Sequence, residues 1–209
     1  ARGREAAKEV LAELKKAVGG ADMVFIVSGM GGGTGTGSAP VIAQIAKESG
    51  AVVIGVVTMP FESERARIDK AEFGLQELRD VTDTTIVLDN NRLVDIAGQL
   101  PIEQAFAVAN ELISTMVKGI VETITLPSLI NLDYADVSAI MKDGGVAVIG
   151  IGEADTQNKV MEAVQQALTH PLLDVDYKGA TGALIHITCG PDLKLEEFDL
   201  ICRIVSENL

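Results

Sequence analysis

Apolar positions along the chain alternate between two periods. From Glu5 to Val18, the residues Ala6, Ala7, Val10, Leu11, Leu14 and Val18 recur at helical spacing, and Gly19-Gly20 ends the run, which predicts one amphipathic helix. Met23 to Val27 is short and wholly apolar, as a strand covered on both faces should be. Ser28 to Gly37 is glycine-rich and predicts a loop. A helix is expected from Ala39 to Ser49, with Ser38 as N-cap, Pro40 in the first turn and Gly50 as terminator. The same order returns with a strand from Ala51 to Val57, a loop from Pro60 to Ser63 and a helix from Glu64 to Arg79. A strand from Thr84 to Leu88 and a turn at Asp89-Asn90-Asn91 close this half. Strands alternating with helices predict a parallel sheet with right-handed crossovers.

A long helix follows, from Glu103 to Thr125, and Pro127 ends it. Beyond a polar loop at Asn131 to Asp136 the pattern predicts a short helix to Lys142 and a strand from Val146 to Ile151. A helix from Gln157 to Thr169, a strand from Ala183 to Thr188 and a helix from Leu195 to Glu207 complete it. The expected fold class is α/β, with a partial Rossmann-like parallel sheet over residues 1–102, a central helix and connection over 103–130, and a smaller, partial α/β unit over 131–209. Both ends read as unfinished. The first helix feeds a sheet with no strand before it, and two strands make a poor independent sheet. Further segments are expected on both sides.

Composition narrows the function. A formal net charge of −13 disfavours nucleic acid and anionic lipid as partners. Any phosphate ligand must therefore be held mainly by backbone N–H groups and a metal ion. Aromatic residues at 3% with no Trp weaken stacking on single strands. No apolar run approaches a membrane span, and the first residues lead into a helix and not a signal peptide, so a soluble cytosolic protein is expected. Cys189 and Cys202 lack metal or redox spacing and read as reduced core residues.

Ser28 to Gly37 holds six glycines in ten residues between a buried strand and a helix N-terminus. Without Cβ atoms the backbone can turn several N–H groups into one concavity, and the helix dipole adds positive potential. Thr34, Thr36 and Ser38 add hydroxyls. This is a polyphosphate site in kind. It is not a Walker A loop, since Ser38 follows Gly37 where Lys is required. It is not G-x-G-x-x-G either, because the third glycine is replaced by Thr34, Thr36 or Ser38 in each register.

In an open parallel sheet, ligands bind beyond the carboxyl ends of the strands. Ser28 to Gly37, Pro60 to Arg67 and Asp89 to Arg92 share that edge, and Phe106 and Asn110, one helical turn apart, start the long helix beside it. Phe106 could stack on a base or simply pack in the core; Asn110 could read a base edge or sit in solvent. Asp133 and Asp136, with Asn131, could hold a cation and orient a water, or Asp133 could cap a helix with Asp136 in its first turn. The long helix, about 30 Å at ~1.5 Å per residue, separates these carboxylates from the glycine loop. The two groups meet on one nucleotide only if the bottom of one subunit docks on the top of the next. Such a contact does not close and propagates into a filament.

The run GGGTGTG at Gly31 to Gly37 resembles the phosphate loop of the tubulin/FtsZ family, and the resemblance extends over essentially the whole chain. It implies that Gly31, Gly32, Gly33, Thr34, Gly35, Thr36 and Gly37 hold the phosphates of GTP or GDP with Mg²⁺. It implies further that Asn90 and Arg67 contact the nucleotide, that Phe106 and Asn110 contact guanine, and that Glu62 or Glu64 contacts the ribose. Asn131, Asp133 and Asp136 resemble the family's synergy loop, N-x-D-x-x-D, which completes the GTPase site of the neighbouring subunit. Asp at 136 matches the prokaryotic branch, where tubulins typically carry Glu. The resemblance implies a GTPase sheet domain and a chorismate-mutase-like C-terminal domain. It also implies head-to-tail self-assembly, division-ring partner proteins bound through segments outside this chain, and a cytoplasmic place at the division site. The family's first strand with its own glycine-rich loop, its last two strands and its tail have no counterpart here.

Two rivals stand beside this. One is a structural member that binds nucleotide without hydrolysing it. The other is a dinucleotide-dependent oxidoreductase, which the missing fingerprint and the lack of a paired catalytic histidine disfavour. His170, before Pro171 at a helix end, and His186, inside a strand, both read as structural.

Overall fold

A computed structural model describes residues 2–127, 132–142, 144–169 and 179–209. Its centre is a parallel sheet in the order β1 (Met23–Gly29), β2 (Val52–Met59), β3 (Thr84–Asp89), β4 (Gly145–Ala147). β2 is the buried middle strand. Val53 and Val57 point to one face, while Val52, Ile54 and Val56 point to the other, following the period of two. On the first face lie α3 (Thr34–Glu48) and α4 (Ile68–Arg79), which bring Ala39, Ala43, Ala46, Ala71, Leu75 and Leu78 onto the valines. On the second lie α6 (Ile102–Thr125) and α7 (Tyr134–Met141), with Met116, Ile120, Val137 and Met141. The result is helix, sheet, helix, as expected of an α/β chain. Gly55 faces α4, where a Cβ would press to 3.2 Å on the Leu78 side chain, so the absent side chain permits the close helix–sheet approach.

One buried polar anchor has no sequence signal. Asp83, 9% exposed, accepts a hydrogen bond from the Val53 N–H at 2.8 Å and pairs with Lys47 at 3.3 Å. It thereby ties the start of β3 to β2 and to the end of α3. On the other face, Thr84 Oγ1 donates to the Met141 carbonyl at 2.5 Å, and Tyr134 Oη donates to the Asp22 carbonyl at 2.5 Å. These two bonds fasten α7 beneath the amino ends of β3 and β1.

Several expected boundaries are corrected. The first helix is two, α1 (Arg2–Glu9) and α2 (Leu11–Val18), broken at Val10, whose φ of −110° and ψ of 25° leave the helical region. The first of the two packs closely on α3 through glycines. A Cβ on Gly3 would meet the Gly33 carbonyl oxygen at 2.2 Å, and one on Gly37 would meet the Arg4 nitrogen at 2.8 Å. Glu62–Arg67 forms a 3₁₀ turn, and α4 starts only at Ile68. The turn expected at Asn90 is a helix, α5 (Asn90–Ala97), capped by Asp89, which accepts from the Asn91 N–H at 2.8 Å.

The strand expected at Val146 to Ile151 is shorter and joins the first sheet beside β3, with Thr84 opposite Gly145 and Ile86 opposite Ala147. Glycines direct this path. A Cβ on Gly150 or Gly152 would overlap backbone of α8 (Lys159–Leu168), so the chain beyond Ala147 is pressed onto that helix and leaves the sheet. Residues 183–188 pair with no described strand. Ile185 and Ile187 instead pack, two residues apart, on Val160 and Val164 of α8 and Ile201 of α9 (Leu195–Asn208). Cys189 is exposed and Cys202 half-buried, both as free thiols, so Cys189 is not a core residue. His170 lies outside the described residues. His186 lies outside any strand and bonds through Nδ1 to Thr123 Oγ1 of α6 at 2.9 Å.

Candidate functional site

The glycine run is less of a loop than its composition predicts. Helix α3 begins at Thr34, five residues before the expected start, and Ser38 lies inside it, its hydroxyl donating to the Thr34 carbonyl at 2.8 Å. Ser38 is therefore not the cap. Gly35 sits against the end of β1, where a Cβ would fall 2.2 Å from Ser28 Oγ, and Gly37 sits against α1. These two glycines serve close packing. The conformational demand falls on Gly31, whose φ is +92° and whose N–H donates to Thr36 Oγ1 at 2.9 Å. Thr36 in turn is wedged against Gly74 of α4, where a Cβ would meet its methyl group at 2.2 Å.

What remains open is Gly32, Gly33 and Thr34. All three are exposed, and a Cβ on Gly32 or Gly33 would meet nothing within 4 Å. The N-cap position, Gly33, supplies no side chain, so the first N–H groups of α3 have no partner from the cap. A fifteen-residue helix thus presents an uncapped N-terminus at the carboxyl edge of a parallel sheet, beside an open backbone cradle. That donor set fits a phosphate chain.

The neighbouring segments converge on the same edge. Arg67 lies beneath Gly31, its Cβ 2.9 Å from where a Gly31 Cβ would be. Arg67 Nη1 donates to Glu64 Oε2 at 2.7 Å, and Glu64 Oε1 accepts from the Phe61 N–H at 3.2 Å. Glu64 is therefore committed to its own turn. The Glu62 carboxylate is exposed and has no partner among the described residues, while its N–H donates to Asn91 Oδ1 at 2.9 Å. Asn91 also donates from Nδ2 to Asp89 Oδ1 at 2.7 Å, so it links the second and third loops. Asn90 is half-buried at the first position of α5.

Phe106, 40% exposed, is not a core residue. Its ring meets that of Phe61 edge to face, with centroids 6.1 Å apart and planes at 66°, which brings the start of α6 to the second loop. Asn110, one turn further on, is exposed. Phe61 and Asn91 were not foreseen from the sequence. Phe61 had a usable signal, as an aromatic next to Pro60 on the shared edge; Asn91 had none, since its role depends on which of two adjacent asparagines turns toward Glu62.

Asp133 and Asp136 lie at the other end. Asp133 Oδ1 accepts from the Asp136 N–H at 2.9 Å and Asp136 Oδ2 accepts from the Asp133 N–H at 3.2 Å, a reciprocal cap on α7. Both side chains are exposed, and each keeps one carboxylate oxygen outside that cap. Asn131 lies outside the described residues. Because Tyr134 bonds to Asp22, the carboxylates sit near the amino end of β1, whereas the cradle follows its carboxyl end. Seven strand residues at ~3.3 Å each separate those ends by about 23 Å.

Residues 1–98 match the family model "Tubulin/FtsZ family, GTPase domain", and residues 145–209 match "FtsZ family, C-terminal domain". The chain belongs to the tubulin/FtsZ family. Among curated members, it is 56% identical to cell division protein FtsZ 2 of Halobacterium salinarum over 99% of this chain and 53% of that protein. It is 57% identical to cell division protein FtsZ 1 of Pyrococcus furiosus over 99% of this chain and 56% of that protein. The structure of an empty FtsZ dimer from M. jannaschii superposes with a TM-score of 0.93 at 51% identity, covering 99% of this chain and 61% of that one. The chain spans about half the length of the curated FtsZ relatives it matches. Among the described residues, no helix is long and apolar enough to cross a membrane.

Proposed function

We propose that the protein containing this chain binds and hydrolyses GTP and polymerises head to tail in cell division, each GTPase site being completed by the next subunit. The observation that carries this is the separation of the two polar groups to opposite edges of one sheet. The cradle at Gly31 to Gly37 would bind the phosphates through backbone N–H groups of Gly32, Gly33 and the first turn of α3. Glu62 is the free carboxylate for the ribose, with Arg67 beside the cradle and Asn90 at the third loop. Phe106, steadied by Phe61, and Asn110 would meet the guanine. Mg²⁺ carried on the phosphate oxygens would supply charge neutralisation. Asp133 and Asp136 of the following subunit would orient the attacking water through the carboxylate oxygens that the cap leaves free, with Asn131 beside them. The water oxygen then bonds to the γ-phosphorus, the bond to the bridging oxygen breaks, and GDP and phosphate result.

In this reading residues 1–102 form the nucleotide-binding part, 103–130 the helix that spaces the two half-sites, and 131–209 the part carrying the completing carboxylates. The work site is the cytoplasmic face of the division site. One observation favours the non-hydrolysing alternative: Asp133 and Asp136 already serve as a helix cap. GTP turnover of the full-length protein, measured against protein concentration, separates the two. A shared site gives activity rising more steeply than linearly, and Asp136→Ala removes turnover while GTP still binds. A strictly linear dependence, or loss of GTP binding in that variant, refutes the shared site.

A further inference from the structure

The last pairing of β3 with β4 is at Ile86 and Ala147, while β3 itself continues to Asp89. The two strands fork there. Residues beyond Ala147 diverge toward α8, and α4 stands over the other side of β3. The fork borders a cavity of about 370 Å³, within the size range of small-molecule sites; it touches none of Gly31 to Gly37 but reaches Glu62, Asp89 and Asn91 of the second and third loops. Part of its wall is aliphatic, with Leu75 from α4, Leu88 from β3, Val146 from β4 and Val148 and Ile149 from the diverging chain.

Arg79, the last residue of α4, is the one cationic side chain on that wall. Its Nε is fully buried and has no hydrogen-bond partner among the described residues. A buried donor left unpaired is costly, and a ligand carboxylate oxygen placed at Nε would satisfy it. The cavity also carries Glu62, Glu72 and Asp89, of which Asp89 already caps α5. Three carboxylates repel a multiply charged anion such as phosphate. A single charge against one guanidinium, with an apolar body along aliphatic walls, fits both facts.

We propose that this fork is a binding site for a small organic acid, a monocarboxylate with an aliphatic or aromatic body, its carboxylate accepting from Arg79. The test uses the full-length protein with octanoate as probe, and octan-1-ol, octylamine and inorganic phosphate as comparisons. Octanoate raises the melting temperature saturably and moves the Arg79 Nε–H resonance in ¹⁵N NMR; the other three do neither. Arg79→Met weakens octanoate binding at least about tenfold, the loss of one charge-assisted hydrogen bond. The resonance shift, read on unaltered protein, keeps the proposal testable if that variant folds poorly. Equal binding of octan-1-ol would reduce the fork to an apolar hole. Preference for octylamine would show that the carboxylates govern it, and preference for phosphate that the charge argument is wrong. No saturable binding at all would mean that water fills it.

Discussion

Gly3 lies directly against Gly33: a Cβ on Gly3 would sit 2.2 Å from the Gly33 carbonyl oxygen and 3.0 Å from that of Thr34. Helix α1 is therefore part of the wall behind the proposed phosphate cradle. Its first turn lies against the carbonyls of Gly33 and Thr34, at the start of α3. Gly3→Ala should push Gly33 outward. Overpacking of this kind costs about 1–3 kcal/mol. The expected result is weaker GDP binding in full-length protein by titration calorimetry, with a lower melting temperature. Unchanged affinity alongside a lowered melting temperature would mean that α1 supports the fold and not the cradle.

The proposal that Glu62 and not Glu64 meets the ribose rests on what each already does. Glu64 spends one oxygen on Arg67 and the other on the Phe61 N–H, while Glu62 has an exposed carboxylate. Glu62→Gln should narrow the preference for GTP over 2′,3′-dideoxy-GTP, measured as a ratio of dissociation constants. Glu64→Gln should keep that ratio and loosen the turn, lowering the affinity for both nucleotides alike. If Glu64→Gln erased the preference instead, the assignment would be reversed.

The parallel strands β1, β2 and β3 were legible because β2 is an unbroken apolar run between turn signals, whereas the joining of β4 to the same sheet was not, the strand at Val146 being expected in the smaller unit. What was not legible depended on contacts between distant residues. The start of α3 was misread because a serine before an apolar stretch looks like a cap, whereas Gly35 and Gly37 are already helical and pressed on β1 and α1. The break at Val10 carries no Gly or Pro signal in the sequence. The path of residues 146–151 is set by Gly150 and Gly152 against α8. On the site side, the choice between Glu62 and Glu64, and between core and edge for Phe106, turned on partners that periodicity does not encode.

Acid should loosen α1 before it unfolds the sheet. Arg4 pairs with Glu77 of α4 and, chiefly through that hydrogen bond, holds the Glu77 carboxyl below its ordinary value of 4.5; partial burial opposes the shift and the Arg4 charge adds to it. A depressed folded pKa means that the stabilisation is complete above the ordinary value and is lost as pH falls through the depressed one. At this exposure the pair contributes no more than about 1 kcal/mol. Amide exchange in α1 should be faster in Glu77→Gln than in the unaltered protein at pH 7, and the two should converge only as pH falls through the depressed value of Glu77. A ratio that stays constant with pH would show that the pair does not hold α1.

Asp136 offers the sharpest separation of structure from chemistry. Its Oδ2 accepts from the Asp133 N–H, so deleting the side chain removes half of a reciprocal cap, worth about 0.5–2 kcal/mol. Asn keeps an acceptor oxygen of the same reach and loses only the charge. Asp136→Asn should therefore retain the melting temperature and the GTP affinity of the full-length protein while hydrolysis falls by about two orders of magnitude or more, the scale of a lost group that positions or polarises a nucleophile. Asp136→Ala should lose hydrolysis equally and melt a few degrees lower. The neutral variant also makes a mixing test possible. Because a shared site needs the carboxylates of one subunit and the cradle of another, added Asp136→Asn protein should poison filaments of unaltered protein, lowering turnover per unaltered subunit as its fraction rises. Full activity of Asp136→Asn would leave Asp136 as a cap alone, and turnover that stayed constant per unaltered subunit in mixtures would place the whole reaction within one chain.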